Sequence, residues 1–284
     1  MRNRFNNFYQ KVGLWPLITA ATSLLIILFA ALSYPNQAPL KGWFTWISTF
    51  FSRAIQSIAE FFNGSFGISI IILTILIRFL ILPLMIYQTD SMKKMQKIQP
   101  KIKEIQDKYR GKRDTQNLQL QQAEQQELYR QEGINPFASF IPLLVQMPVL
   151  LALFDSFNQT EAIKDSTFLN FFQLGQPDKY FILPVLAALF TFVSSWLAMQ
   201  ANPTQTGATK YLPYIFPVMI FFIAMQTFSG LSLYWVVSNA FQAIQTFFLQ
   251  NPFKARAERE ASELAEKERR KAVRKAINNA RKRR

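Results

Sequence analysis

Hydrophobic positions along this chain fall in long blocks, at 14–33, 66–87, 137–157, 180–199, 211–228 and 231–249. At about 1.5 Å rise per helical residue, roughly 20 apolar residues cross a hydrocarbon core of about 30 Å. Each block therefore predicts a membrane-spanning helix, and the last two are separated only by a very tight turn at Ser229 and Gly230. Two connecting segments carry a different pattern. Over 43–62, Trp43, Trp46, Ile47, Phe50, Phe51, Ala54, Ile58 and Phe61 recur at three and four, while Arg53, Gln56, Ser57 and Glu60 hold the remaining face. That periodicity predicts an amphipathic helix lying in the outer membrane interface. A span here would bury both Arg53 and Glu60. Over 88–133, Met92, Met95, Ile98, Ile102, Ile105 and Tyr109 follow helical spacing interrupted by Pro100, and a polar turn at 110–114 leads to a second helix over 117–130. The result is a helical hairpin whose apolar stripe is too thin for a rigid core, so a mobile element is expected. The plain alternative is a solvated spacer.

Composition agrees with the pattern. Half the residues are apolar and 28 of 284 are Phe, which predicts an all-α polytopic membrane protein with no second globular domain. Cysteine and histidine are both absent, excluding disulfides, thiol-ligated metal and a histidine proton relay. Glycine-rich nucleotide loops and nucleophile–base arrangements are missing too, so neither catalysis nor a cofactor is expected.

Charge sets the orientation. Segment 88–133 has ten basic residues and the tail after Leu249 has thirteen, against Lys41, Arg53, Lys164 and Lys179 on the opposite side. The positive-inside rule places the N-terminus with Arg2, Arg4 and Lys11, segment 88–133, loop 200–210 and the C-terminus in the cytoplasm. Six crossings return the chain to that side. Residues 1–33 read equally as a cleavable signal peptide or as a retained signal-anchor. Segment 34–62 is then external, 63–252 forms a membrane core with the hairpin inserted, and 253–284 is a basic cytoplasmic tail. The tail attracts anionic lipid or ribosomal RNA by the same electrostatics, or acts only as a topology anchor.

One arginine stands out. Arg78 is the only charge in the block 66–87. If the helix starts near Phe66, Arg78 lies about 18 Å along it, too deep for easy snorkelling. A guanidinium at that depth costs several kcal/mol without water or a partner, and no carboxylate in a neighbouring block is placed to pair with it. The charge is therefore expected to face a polar, water-filled cavity, available to an anionic polypeptide segment. Thr74, Gln146, Ser194, Ser195, Gln226, Tyr234, Ser238, Asn239 and Gln242 are candidates to line it; Tyr234, Ser238 and Gln242 recur at four as one stripe, with Trp235 and Asn239 on its adjacent edge. A transporter or channel would use the same arginine as a substrate charge. That class usually shows paired internal repeats, and none is visible here.

Four stretches carry a resemblance: ILIRFLILPL (75–84), SMKKMQKIQPKIKEIQDKY (91–109), NPFASFIPLLVQMPVLLALF (135–154) and GLSLYWVVSN (230–239). In order and content they resemble the YidC/Oxa/Alb family of membrane insertases, over about 43–252. The compact form with a basic tail resembles the Gram-positive members. The resemblance implies five core spans around a hydrophilic groove, open to cytoplasm and lipid and closed outside. It implies insertion and folding of nascent membrane proteins in the bacterial plasma membrane without nucleotide hydrolysis, alone or beside the Sec translocon. A monomer suffices for that reading. Arg78 resembles the groove arginine that attracts acidic client segments, Gln146 belongs to the Gln-Met-Pro span, and Tyr234 with Trp235 matches an aromatic pair that clients slide past. Pro83, Pro142, Pro148, Pro213 and Pro217 resemble the family's proline pattern. Met92, Met95 and Ile98 on the hairpin combine with its charge as a surface for an apolar client. Two departures stand: Ser33 occupies the place of a lipobox cysteine, and Ser194-Ser195 stand where larger amide side chains are expected.

Overall fold

Apolar length sorts the elements of the computed structural model, which describes residues 12, 14–33, 42–111, 114–137, 141–201 and 211–282. The helices are α1 (Leu14–Ser33), α2 (Gly42–Phe61), α3 (Phe66–Lys108), α4 (Thr115–Gln131), α5 (Ile141–Gln159), α6 (Glu161–Lys164), α7 (Ile182–Ala201), α8 (Leu212–Gln226), α9 (Ser229–Gln250) and α10 (Pro252–Lys282). One antiparallel pair, β1 (Thr167–Phe168) and β2 (Phe172–Gln173), aligns Thr167 with Gln173 and Phe168 with Phe172. By length and composition α1, α3 and α7 can cross a membrane, and α5 and α8 contain shorter apolar stretches at Leu144–Asn158 and Pro213–Gln226. The 22 residues of α9 are long enough, but Ser232, Ser238, Asn239, Gln242 and Gln245 interrupt its apolarity. The basic N-terminal tail, Lys112 and Arg113 of the hairpin turn, and loop 202–210 lie outside the described residues.

Two boundaries differ from expectation. The second block and the first arm of the hairpin form one 43-residue helix, α3, which runs through both Pro83 and Pro100. Each proline removes one donor to the preceding turn, and the remaining ladder carries the helix across. The tight turn before α9 falls at Thr227 and Phe228, not at Ser229 and Gly230, which already belong to the first turn of α9. The cause is external capping. Ser229 N donates to Gln176 O at 2.7 Å and Gly230 N to Leu174 O at 3.0 Å, so the loop after β2 satisfies the first donors of the helix.

The helical hairpin does have a core, though a small one. Ile98, Ile102 and Ile134 are buried together, with Met95, Leu128 and Tyr129 against them. Asp114 caps α4, accepting from Asn117 N. Lys101 pairs with Glu132 at 2.6 Å, and Glu124 receives both Lys108 and Tyr109. The Lys108 hydrogen bond, then that of Tyr109, holds the Glu124 carboxyl below the usual carboxylate range. Its contribution to the hairpin is therefore present at neutral pH and is lost only as the pH falls through that depressed value.

Packing defines two ends. α9 contacts α3 and α7, α7 contacts α8, and α1 packs on α2 and α3. α2 is more than a surface helix: Ala54 and Ile55 are fully buried, and Ser48 and Ser52 meet α5 through Ser156 Oγ to Ser48 O (3.0 Å) and Ser52 Oγ to Thr160 Oγ1 (2.8 Å). Its Trp46 and Phe61 remain exposed. α5 holds to α2 and only sparsely touches α3 and α9. Residues from α6 to the start of α7 fold over one end of the bundle. There Ile163, Phe172 and Leu174 join Ile55, Ile70, Leu73, Phe157 and Leu231 in the main apolar cluster. Asp178 closes this cap by accepting from Tyr180 N (2.9 Å) and Leu183 N (2.8 Å). The cap end is thus filled by apolar side chains, and the helical hairpin extends from the other.

Gly230 is placed where no side chain fits, since a Cβ would lie 2.3 Å from Phe157 Cε1. Gly230→Ala should lower stability by about 1–3 kcal/mol, the usual range for overpacking. Thermal unfolding of the purified protein in detergent reads this as a lower Tm, and an unchanged Tm would show that the cap yields freely.

Candidate functional site

The stripe read at four-residue spacing on α9 meets Arg78 on α3. Arg78 is 7% exposed. Its Nε and Nη2 donate to Ser238 Oγ at 3.2 and 2.9 Å, and its Nη1 donates to Gln242 Oε1 at 3.0 Å. A guanidinium has five N–H donors, so two remain without a partner among the described residues. No described carboxylate pairs with it. The positive charge is held by neutral oxygens alone. The guanidinium lies inside the α3–α9 contact, with its three hydrogen bonds all to α9. Hydroxyl and amide oxygens supply the polarity around it.

Tyr234, one turn toward the cap, is 2% exposed and receives a hydrogen bond from Gln146 Nε2. This bond is a polar bridge from α9 to the loosely attached α5. Trp235 packs on the edge of the main apolar cluster. Thr74 is buried one turn before Arg78, with its hydroxyl spent on Ile70 O at 2.6 Å. Arg78, Gln146, Tyr234, Ser238 and Gln242 therefore belong to one polar seam between α3, α5 and α9, while Thr74 keeps its hydroxyl within α3.

Ser194 does not join them. Its hydroxyl donates to Thr191 O at 3.0 Å on α7, where Asn239 Nδ2 donates to Thr191 Oγ1 at 2.8 Å. Ser238 and Asn239 are neighbours in sequence, but successive helical residues diverge by about 100°, so one faces α3 and the other α7. Ser195 is half-buried on α7. Of the hairpin residues, Ile98 is 3% exposed and points into the hairpin core, Met95 packs against that core, and Met92 is half-buried with Gln88 Nε2 on its sulfur at 3.1 Å. Sequence reasoning missed Gln245. It is 7% exposed, its Oε1 has no partner among the described residues, and it continues the stripe three residues beyond Gln242. The three-residue step was the available signal.

Residues 57–257 match the sequence profile of the 60Kd inner membrane protein family. The chain belongs to that family. It is 41% identical to the membrane protein insertase YidC of Enterococcus faecalis over 92% of this chain and 94% of that protein. It is 46% identical to membrane protein insertase YidC 2 of Lactiplantibacillus plantarum over 87% of this chain and 88% of that one. A crystal structure of an active YidC insertase with its first transmembrane domain resolved is similar in fold, with TM-score 0.55 and 24% identity. That similarity covers 73% of this chain and 47% of the solved chain, so this protein spans just under half of the solved chain's length. The all-α polytopic membrane architecture expected from sequence is met. This is a family of membrane insertases of the bacterial cell, not of enzymes.

The geometry makes Ser238 the main support of a buried charge. Removing one partner from a buried charged group costs about 1–3 kcal/mol. Ser238→Ala should therefore lower the Tm of the otherwise unchanged protein, and should lower it far less when Arg78 is already Met. Thermal unfolding of the four-protein cycle reads the coupling. Equal losses in both backgrounds would mean that Ser238 supports packing and not the guanidinium.

Proposed function

We propose that this membrane protein insertase draws acidic segments of its clients into the seam between α3, α5 and α9, using Arg78 as the attracting charge. The observation that carries the reading is the guanidinium itself: buried, bonded only to Ser238 and Gln242, and paired with no described carboxylate. An ionised acceptor makes a shorter and roughly twofold stronger hydrogen bond than a neutral one. A client carboxylate reaching Arg78 therefore displaces Gln242 or Ser238 at a net gain, and those side chains take the guanidinium back when the client leaves. The sparse contact of α5 with α3 and α9 supports entry from that side, with the Gln146–Tyr234 bridge opening as it does. The apolar cap supports closure of the opposite end to water.

In the same reading the hairpin end faces the cytoplasm, as the basic residues of 88–133 and 253–284 require, and the C-terminus lies there too. Met92 and Met95 offer apolar contact to a nascent membrane protein at the hairpin base. The basic tail meets anionic lipid or ribosome, and insertion proceeds alone or beside the Sec translocon.

Purified protein in liposomes tests the role of the charge. Arg78→Ala should slow insertion of single-span clients with acidic translocated tails by about tenfold, the worth of one hydrogen bond to a charged group. Arg78→Lys should retain most of the rate, because a point charge attracts a carboxylate without a fork. Clients with neutral tails should change little, and equal loss for both client classes would rule out electrostatic attraction. A second measurement separates tail from hairpin. Deleting 254–284 should weaken ribosome or membrane-surface association in a salt-dependent way while ribosome-free clients still insert. Deleting 93–130 should impair insertion itself. Loss of ribosome-free insertion on tail deletion would make the tail part of the insertion path.

A further inference from the structure

Where α3 leaves the bundle, a cleft of about 530 Å³ opens between its hairpin arm, the last residues of α7 and α9, and the first turns of α10. Three lysines from distant parts of the chain line it: Lys93 and Lys97 on α3, and Lys254 on α10. Glu258 is the one carboxylate among its lining residues. Lys93 has a structural task, since its Nζ reaches Leu249 O, a terminal carbonyl of α9, at 3.5 Å. Gln96 does the same for Ala201 O of α7 at 3.4 Å. Lys97 has no such task, and no described residue pairs with it. Lys254 has only Glu258, at 3.9 Å and exposed to solvent. The cleft therefore holds an excess of positive charge, with Lys93 and Lys97 one turn apart on the same helix face, where like charges repel. An anion between them relieves that repulsion.

The depth of the cleft selects the anion. Its apolar lining comes from Ala201 at the end of α7, Leu249 near the end of α9, and Ala255 on α10. Phe253 meets Trp196 and Phe247 edge-on (6.3 and 6.2 Å between ring centres), and Phe248 is exposed on α9. Lysines beside an apolar lining with an aromatic flank match the layer where a phospholipid turns from phosphate to acyl chain. We propose that this cleft binds the phosphate of one anionic phospholipid from the leaflet at the hairpin end. The bound lipid joins α3, α7, α9 and α10 through its headgroup. The proposal rests on the reading of this end as cytoplasmic and gives the general attraction of the basic tail for lipid a defined site. An RNA phosphate is disfavoured because the cleft lies at the ends of the spans.

The test uses the full chain in detergent, followed by native mass spectrometry with added phosphatidylglycerol or phosphatidylcholine. The expected result is one phosphatidylglycerol retained beyond the phosphatidylcholine level. The double variant K97Q/K254Q should weaken that retention by about tenfold or more, from the loss of two surface-level lysines. The variant K271Q/K275Q, equal in charge but far along α10, should not. Equal retention of the two lipids, or equal retention by both variants, overturns the proposal. So does inorganic phosphate binding the cleft as tightly as the lipid, which makes it a free-phosphate site. A short oligoribonucleotide that displaces the lipid and is itself lost in K97Q/K254Q reassigns the cleft to RNA. Arg78-dependent insertion measured on the same preparations separates failures. Its persistence without lipid selectivity refutes the lipid site alone, and its absence with lipid selectivity intact refutes only the arginine reading.

Discussion

A buried guanidinium held by neutral oxygens is the constraint around which the rest of this molecule is arranged. Arg78 sits within an apolar span, and its desolvation must be offset where it stands. A carboxylate partner would offset it best and would also silence the charge. Ser238 and Gln242 offset it partly, through three hydrogen bonds, and leave two donors over. That compromise requires α9 to lie directly against α3 with its polar stripe inward, and α9 in turn packs on α7, which carries α8. It also requires that bulk water not cross the bundle. The apolar cluster at the cap, from Ile55 and Leu73 to Phe157 and Leu174, fills the path on that side.

The cap and the seam are linked by α9. Its first turn is fastened by the carbonyls of Leu174 and Gln176, and Gly230 allows Phe157 to close over it. Three turns further along, the same helix presents Ser238 and Gln242 to Arg78. A rigid anchor at one end therefore positions the polar stripe at the other. α5 is the exception to this rigidity. It is fastened to α2 through serine and threonine contacts, packs Phe157 over Gly230 at the cap, and meets the polar stripe of α9 through Gln146 and Tyr234. A side chain bridge of this kind can break and reform without disturbing the apolar core.

Much of the fold was legible in the sequence because burial in lipid demands long apolar blocks. The bounds of α1 coincide with a predicted block, and those of α7 lie within two residues of one. The continuity of α3 was hidden because composition changes sharply at Gln88 while the backbone does not, and because a proline inside a helix reads as an end. The short strands β1 and β2 have too few residues for any periodicity. In the site, four-residue spacing correctly gathered Tyr234, Ser238 and Gln242, since that spacing is a property of one helix. It could not say which neighbour each face meets. Polarity alone groups Ser194 with them, yet its hydroxyl bonds Thr191 O within α7; spacing and charge make Ile98 a surface candidate, and the hairpin folds over it.

The central claim is that the Arg78 charge, and not merely its bulk or its packing, recruits acidic client segments. The most direct measurement is the initial rate of insertion into liposomes for a series of otherwise identical clients carrying zero to three acidic residues in the translocated tail. It is made with the unchanged protein and with Arg78→Gln, which keeps a planar hydrogen-bonding side chain but removes the charge. The account predicts a rate that rises with the first acidic residue for the unchanged protein and a flat or falling series for Arg78→Gln. Two series that rise in parallel would contradict it.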